Sequence, residues 1–134
     1  MALKDKIRVI PRKLIKDDRG WFYKAITGTE EDIPDHTGEV YLTYGKPGYV
    51  RGGHYHPLAK EWFTVIEGKA ILKLVDIKTK EELEIQMQLC DAISVYVPNN
   101  IAHGFVSDGD CDFIVLAYTD RLYDSSDTIK YDVL

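Results

Sequence analysis

The sequence predicts an all-β fold, one barrel or sandwich of about ten short strands, in a chain of 134 residues. Three observations predict it. Apolar and polar residues alternate with period two along most segments, and almost no stretch carries a helical repeat. Turn residues punctuate those segments at regular spacing. The length fits a single domain with a real core, and neither a linker nor an internal repeat divides residues 1–134.

The elements follow in order. Lys6 to Ile10 reads as the first strand. Asp17-Asp18-Arg19-Gly20 is a turn, followed by an aromatic strand from Trp21 to Ile26. Glu30 to Asp35 is acidic and meets a proline, so it is a loop or one helical turn. Val40 to Tyr44 is a strand, and Gly45-Lys46-Pro47-Gly48 is a strong turn. Tyr49 to His56 is the next strand; its paired Gly52 and Gly53 imply a bulge or a close approach to a ligand. Trp62 to Ile66 runs through the turn Glu67-Gly68-Lys69 into Ala70 to Asp76. There Leu72, Leu74 and Asp76 share one face, and Ile71, Lys73 and Val75 the other. Ile77 to Glu81 is a charged hairpin tip. Glu82 to Leu89 and Ile93 to Val97 are strands, and Pro98-Asn99-Asn100 turns the chain into Ala102 to Ser107. Asp108-Gly109-Asp110 closes a hairpin into Asp112 to Tyr118, and the polar tail 120–134 is expected to form an arm or a short helix.

Composition removes several function classes. The net charge of -5, from 17 Lys and Arg against 22 Asp and Glu, argues against a nucleic acid as the main partner. No apolar run approaches membrane-spanning length, and the charged opening MALKDKIRVIPRK lacks the order of a signal peptide, so a cytoplasmic location without a membrane partner is expected. Cys90 and Cys111 sit among strand-like residues without a CxxC partner and are expected to be reduced, core or near-core thiols.

Three of the four histidines fall in two compact patterns. In Gly48-YVRGG-His54-Tyr55-His56-PLAK-Glu61-WFTVIE-Gly68, His54 and His56 are two residues apart on a strand and point to one face. Glu61 opens the following strand after a proline turn and can reach the same interior point if the two strands approach each other. Pro98-Asn99-Asn100-Ile101-Ala102-His103 places a third imidazole at a strand start. Three imidazoles and a carboxylate suit a first-row divalent metal, with Zn, Fe, Mn and Ni not distinguished. The alternative is a polar pocket without metal. His36 lies in an acidic loop and reads as surface.

The spacing G-x5-HxH-x4-E-x6-G resembles the first metal-binding motif of the cupin superfamily. The P-x-x-x-x-H segment resembles the second motif, with Asn100 in place of its usual glycine. Asparagine tolerates the left-handed backbone such a turn requires. The resemblance implies a single cupin (jelly-roll) β-barrel over residues 1–134, with His54, His56, Glu61 and His103 as metal ligands.

A narrower resemblance is carried by three segments in order. Asp18-Arg19-Gly20-Trp21-Phe22, Gly48-Tyr49-Val50-Arg51-Gly52-Gly53-His54-Tyr55 and Val97-Pro98-Asn99-Asn100-Ile101-Ala102-His103-Gly104-Phe105 resemble the dTDP-4-dehydrorhamnose 3,5-epimerase family. That likeness implies His54 as catalytic base, His103 in the same pocket, Arg19, Phe22, Arg51 and Tyr55 as substrate contacts, and Tyr123 as the nearest match to the family's acid. It also implies a homodimer paired through the N-terminal strands, with a nucleotide-linked sugar as ligand. The departures are specific: His56 stands for the family's glutamine, Glu61 for its lysine and Lys24 for its glutamate. A lysine stabilises a developing enolate oxygen, and so does a metal.

The implied activity is therefore metal-assisted epimerisation of a dTDP- or UDP-linked 4-keto-6-deoxy sugar through an enolate. If His54 binds metal it cannot also be the free base, which would leave Tyr123, Tyr44 or Tyr55. Sugar-nucleotide 3,4-ketoisomerases share the D-x-R-G start and an R-G-x-H-x-H segment and give the first alternative. A metal-dependent oxygenase-type cupin and a non-catalytic sugar-binding cupin are the others. The stretch from His54 to Ala70 also resembles the cupin domain attached to some capsule-sugar reductases.

Overall fold

The computed structural model describes residues 1–36 and 38–134. A one-turn helix α1 (Leu3–Lys6) precedes strands β1 (Arg8–Pro11), β2 (Leu14–Asp17), β3 (Gly20–Tyr23), β4 (Glu39–Gly45), β5 (Arg51–Tyr55), β6 (Glu61–Glu67), β7 (Lys69–Asp76) and β8 (Glu82–Gln88). A 3₁₀ turn (Leu89–Asp91) leads to β9 (Ile93–Val97), β10 (Ile101–Ser107) and β11 (Phe113–Thr119). A second 3₁₀ turn (Ser125–Asp127) precedes β12 (Ile129–Lys130).

All described pairings are antiparallel. One sheet has the order β1-β9-β6-β11-β4, the other β12-β5-β10-β7-β8, and β2-β3 is a separate hairpin. The expected all-β class stands. The expected jelly roll is the one observed, as two facing sheets: among the described residues no ladder joins the two five-stranded sheets. The chain passes between them through turns such as 46–50, 56–60 and 98–100, where strand pairing is interrupted. The result is a jelly-roll sandwich.

Period-two alternation builds the core. Phe63 and Val65 on β6, Leu72 and Leu74 on β7, Val95 and Val97 on β9, Phe105 on β10, and Phe113, Val115 and Ala117 on β11 meet between the sheets. Leu3 and Ile7 close one end of that core. This explains why the predicted strand 6–10 starts later: burying Leu3 winds one helical turn, whose Lys6 Nζ lies 2.5 Å from the buried Asp76. Strand β2 has no counterpart among the predicted strands, because Leu14–Asp17 is short, mostly exposed and, among the described residues, pairs only with β3.

Of the two forms expected for residues 120–134, the short helix is present as the 3₁₀ turn Ser125–Asp127, and the arm is docked: β12 pairs with β5, and Val133 is buried. Both cysteines are free, but Cys90 is exposed on the first 3₁₀ turn, so only Cys111 is near the core.

The paired glycines do make a bulge. The β5–β10 register runs from His54 opposite His103 to Gly52 opposite Gly104, leaving Gly53 as the extra residue. Gly52 and Gly53 have φ of 90° and 79°, which favours glycine, and a Cβ at Gly52 would lie 3.1 Å from the His103 carbonyl oxygen. Asn100 adopts φ 65° at the turn before β10, as its side chain permits.

Candidate metal centre

His54 and His103 face each other across β5 and β10, with ring centroids 5.0 Å apart. His56, two residues along, lies 4.8 Å from His54 and 5.4 Å from His103 by the same measure. Glu61, at the start of β6 in the opposite sheet, points across the sandwich into this ring cluster. One ligand atom from each of the four residues lies within 4.8 Å of the others. The sequence-derived set is thus brought together by two sheets, with Glu61 and His103 buried.

The atoms that converge are acceptors. The Nδ1 of His103 faces the Ile101 carbonyl oxygen at 3.0 Å, and the Nδ1 of His56 faces that of Asp127 at 2.8 Å. A carbonyl only accepts, so in each neutral ring Nδ1 carries the hydrogen and Nε2 presents a lone pair. Those Nε2 atoms lie 2.9 Å (His56) and 3.2 Å (His103) from one oxygen, Glu61 Oε1. The approach is close but not aligned as hydrogen bonding requires, and both Glu61 Oε1 and His103 Nε2 are buried without a partner. Glu61 Oε2 accepts from the Tyr41 hydroxyl at 2.6 Å.

Burial and these contacts set the charge states. Burial would raise the Glu61 carboxyl, but His103, His56 and Tyr41 overcome this and hold it far below the usual range, so it is ionised. Burial, reinforced by His103 and His56, pushes His54 down to about 4, leaving a neutral imidazole at pH 7. Burial works against protonation of His56, yet Glu61 and the Asp127 carbonyl raise it. Desolvation and the Glu61 charge push the Tyr41 phenol well up, so it stays a donor. Three imidazole nitrogens and an ionised carboxylate that can share a proton can equally share a divalent cation; the donor set fits one.

Two cavities meet at this cluster. The outer one, about 310 Å³, is lined by Tyr41, His54, His56, Glu61, Arg121 and Tyr123 among others. The inner one, about 140 Å³, is reached by Arg51, His54, His103 and Phe105. Arg51, an expected substrate contact, lines the inner cavity, and Tyr123, the nearest match to the family's acid, lines the outer one.

Four residues do not. Tyr55 points to the other face of β5 and packs on Tyr131, because neighbours on a strand alternate. Arg19 is 90% exposed at the β2–β3 tip, paired with Asp17, and Phe22 is exposed on β3; neither lines either cavity. Tyr44 donates to Asp112, away from the site. His36 is on the surface, with Nε2 2.9 Å from the Asp120 carbonyl oxygen. Residues not anticipated from the sequence are Tyr41, Asp120 and Asp127. Tyr41 was accessible through alternation, since Val40 and Leu42 face solvent. Nothing local in the DSSD tail marks Asp127.

Fold and site together define a cupin-type jelly roll with a histidine- and carboxylate-lined centre. The chain belongs to the polysaccharide biosynthesis C-terminal domain family, whose model matches residues 15–131. It is 27% identical over 119 residues to the spore coat polysaccharide biosynthesis protein SpsL of Bacillus subtilis (strain 168), covering 84% of this chain and 78% of that protein. It is 28% identical over 115 residues to the UDP-2-acetamido-2,6-beta-L-arabino-hexul-4-ose reductase of Pseudomonas aeruginosa, covering 86% of this chain but only 29% of the reductase.

Solved structures share the fold. A dTDP sugar isomerase of Desulfovibrio desulfuricans G20 superposes with a TM-score of 0.85 at 17% identity, covering 95% of this chain and 84% of that one. The 3,5-epimerase RmlC of Legionella pneumophila, in complex with dTDP-4-keto-L-rhamnose, gives 0.83 at 18%, covering 96% and 74%. The QdtA 3,4-ketoisomerase of Thermoanaerobacterium thermosaccharolyticum, a double mutant in complex with TDP, gives 0.78 at 23%, covering 96% and 88%. Among the described residues no helix is long and apolar enough to cross a membrane.

Proposed function

We propose that this chain is a sugar-nucleotide epimerase acting on a dTDP- or UDP-linked 4-keto-6-deoxy sugar through an enolate. His54, His56, Glu61 and His103 hold a divalent cation in this reading. The observation that carries it is the convergence of imidazole Nε2 atoms on Glu61 Oε1, with two of these buried atoms lacking any hydrogen-bond partner. The family's link to polysaccharide biosynthesis supports the substrate class. A bound cation would supply Lewis-acid stabilisation of the enolate oxygen.

The chain's own residues supply the rest. Tyr123 lines the outer cavity and is the one of the three candidate tyrosines at the site, so it moves the proton. Arg51, which has no ion-pair partner among the described residues, offers its guanidinium to the diphosphate. Tyr41 holds Glu61 in place. Ile15, Trp21 and Phe22 are each 56% exposed, which supports pairing of the β2–β3 hairpin with a second copy as a homodimer. In that arrangement Arg19 and Phe22 reach substrate from the partner copy. Sedimentation at micromolar concentration tests this pairing, and a monomer there rules it out.

A second reading is 3,4-ketoisomerisation without metal. The neutral, half-buried His54 facing His103 favours it, since such an imidazole can take a proton directly. One experiment separates the readings. The protein, stripped of metal and then reloaded, is incubated with a dTDP- or UDP-4-keto-6-deoxy sugar in heavy water. Metal-dependent deuterium at the carbon beside the ketone supports epimerisation, and metal-independent exchange with ketone migration supports ketoisomerisation. Binding without exchange leaves a non-catalytic module.

A further inference from the structure

The four residues between His56 and Glu61 set how two of the four candidate ligands meet. The C-terminal segment holds this loop. The Leu58 and Ala59 amides donate to Asp127 Oδ1 and Oδ2 at 2.8 Å and 3.1 Å. The Lys60 amide donates to Asp120 Oδ1 at 2.9 Å, and the Asp120 amide returns a bond to the Lys60 carbonyl at 3.1 Å. Asp127 also presents its own carbonyl to His56 Nδ1 at 2.8 Å.

Asp127 is 7% exposed, with no Lys, Arg or His ion-paired to its carboxylate among the described residues. A buried carboxylate is costly unless its oxygens are hydrogen-bonded, and both oxygens here go to the ligand loop. One residue thus grips His56 by its main chain and the following loop by its side chain. Carbonyl partners of this kind fix the tautomer of metal-binding imidazoles and raise their basicity. Residues 121–124, between the two anchors, line the outer cavity.

We propose that Asp127 is a positioning residue for the metal centre. It sets the His56 tautomer and the His56–Glu61 separation, and through it residues 120–128 and the cation stabilise each other. This rests on the cation reading of the site.

The test uses the full chain with Asp127→Ala and Asp127→Asn. Zn²⁺ affinity is measured against a chromophoric chelator, and the imidazole tautomers of the metal-free protein are read by long-range ¹⁵N–¹H correlation. Asp127→Ala keeps the main-chain carbonyl but frees the segment that presents it, and is expected to weaken Zn²⁺ binding roughly 10–100-fold and to lower the Nδ1–H population of His56 relative to the wild type. Asp127→Asn is expected to lose less, because it keeps one acceptor while turning a donor toward the other amide. If both variants leave either readout as in the wild type, the proposal is overturned. If Asp127→Ala does not fold, Asp127→Asn decides by the same two readouts. A wild type that takes up no Zn²⁺ removes the cation reading instead, and an unchanged His56 tautomer in the variants then overturns this proposal separately.

Discussion

Residues 48–55 and residues 18–22 both resemble the 3,5-epimerase family, yet the fold treats them in opposite ways. The first stretch carries β5 into one sheet, where His54 joins His56, Glu61 and, from β10, His103 in the cluster between the sheets. The second forms the β2–β3 tip, outside both sheets, with Arg19 bound to its neighbour Asp17 and Phe22 half uncovered. The difference teaches that a motif residue acquires its role from the surface it is folded against. The centre is complete within one chain. The hairpin has Ile15, Trp21 and Phe22 more than half exposed, with no described residue of the same chain covering them.

The largest effect expected from breaking that contrast is at the centre. Glu61→Gln should lower cation affinity at least about 100-fold, near 2.8 kcal/mol, because a neutral amide replaces the ionised carboxylate. Elemental analysis and chelator competition check it, and full metal content in this variant would dismiss the four-ligand set.

Next is the mooring of the hairpin. Arg12 Nη2 pairs with Glu30 Oε1 at 2.9 Å, and both side chains are nearly buried. Burial opposes ionisation of Glu30, but the Thr27 amide and hydroxyl and Arg12 outweigh it and bring the carboxyl down to about 2. Since the folded value is depressed, this stabilisation is fully present above about pH 4.5 and is lost as pH falls towards 2. Glu30→Gln should cost about 1.5–3 kcal/mol at pH 7. The gap to the wild type in urea melts should close through that acid window while metal binding at neutral pH is retained. A gap independent of pH would mean that the charge is not what holds the loop.

A smaller change separates the cluster from its support. Tyr41→Phe removes the hydroxyl on Glu61 Oε2 and should weaken Zn²⁺ binding by about tenfold, with little change in thermal unfolding. The smallest effect belongs to the hairpin tip. Arg19→Ala should alter the stability of the chain by less than about 0.5 kcal/mol, as its ion-pair partner among the described residues is the exposed Asp17. If it nevertheless raises the KM for a sugar nucleotide, the hairpin reaches a site that its own chain does not bring to it.

Some of this was legible from residues alone. The two-residue spacing of His54 and His56, and the turn-forming Asn100 ahead of His103, encode local geometry that a strand and a left-handed turn must express. Gly52 and Gly53 announced the bulge for the same reason. Leu72, Leu74 and Asp76 share a buried face, as alternation required. Strand β2 was not legible, since Leu14–Asp17 shows no buried face of its own. Asp127 and Tyr41 were missed because each acts on a residue far away in the chain: Asp127 on Leu58 and Ala59, Tyr41 on Glu61.

The sequence by itself determined an all-β chain, the identity of the four-residue centre and the strand faces that build the core, because period two and tight turns are local properties of the backbone. Only the tertiary structure decided that the sandwich stays open, that the tail braces the ligand loop, that Tyr55 and Tyr44 leave the site, and that the Arg19 hairpin lies outside it. Those outcomes depend on which surfaces meet across long sequence separations, and no local pattern records that.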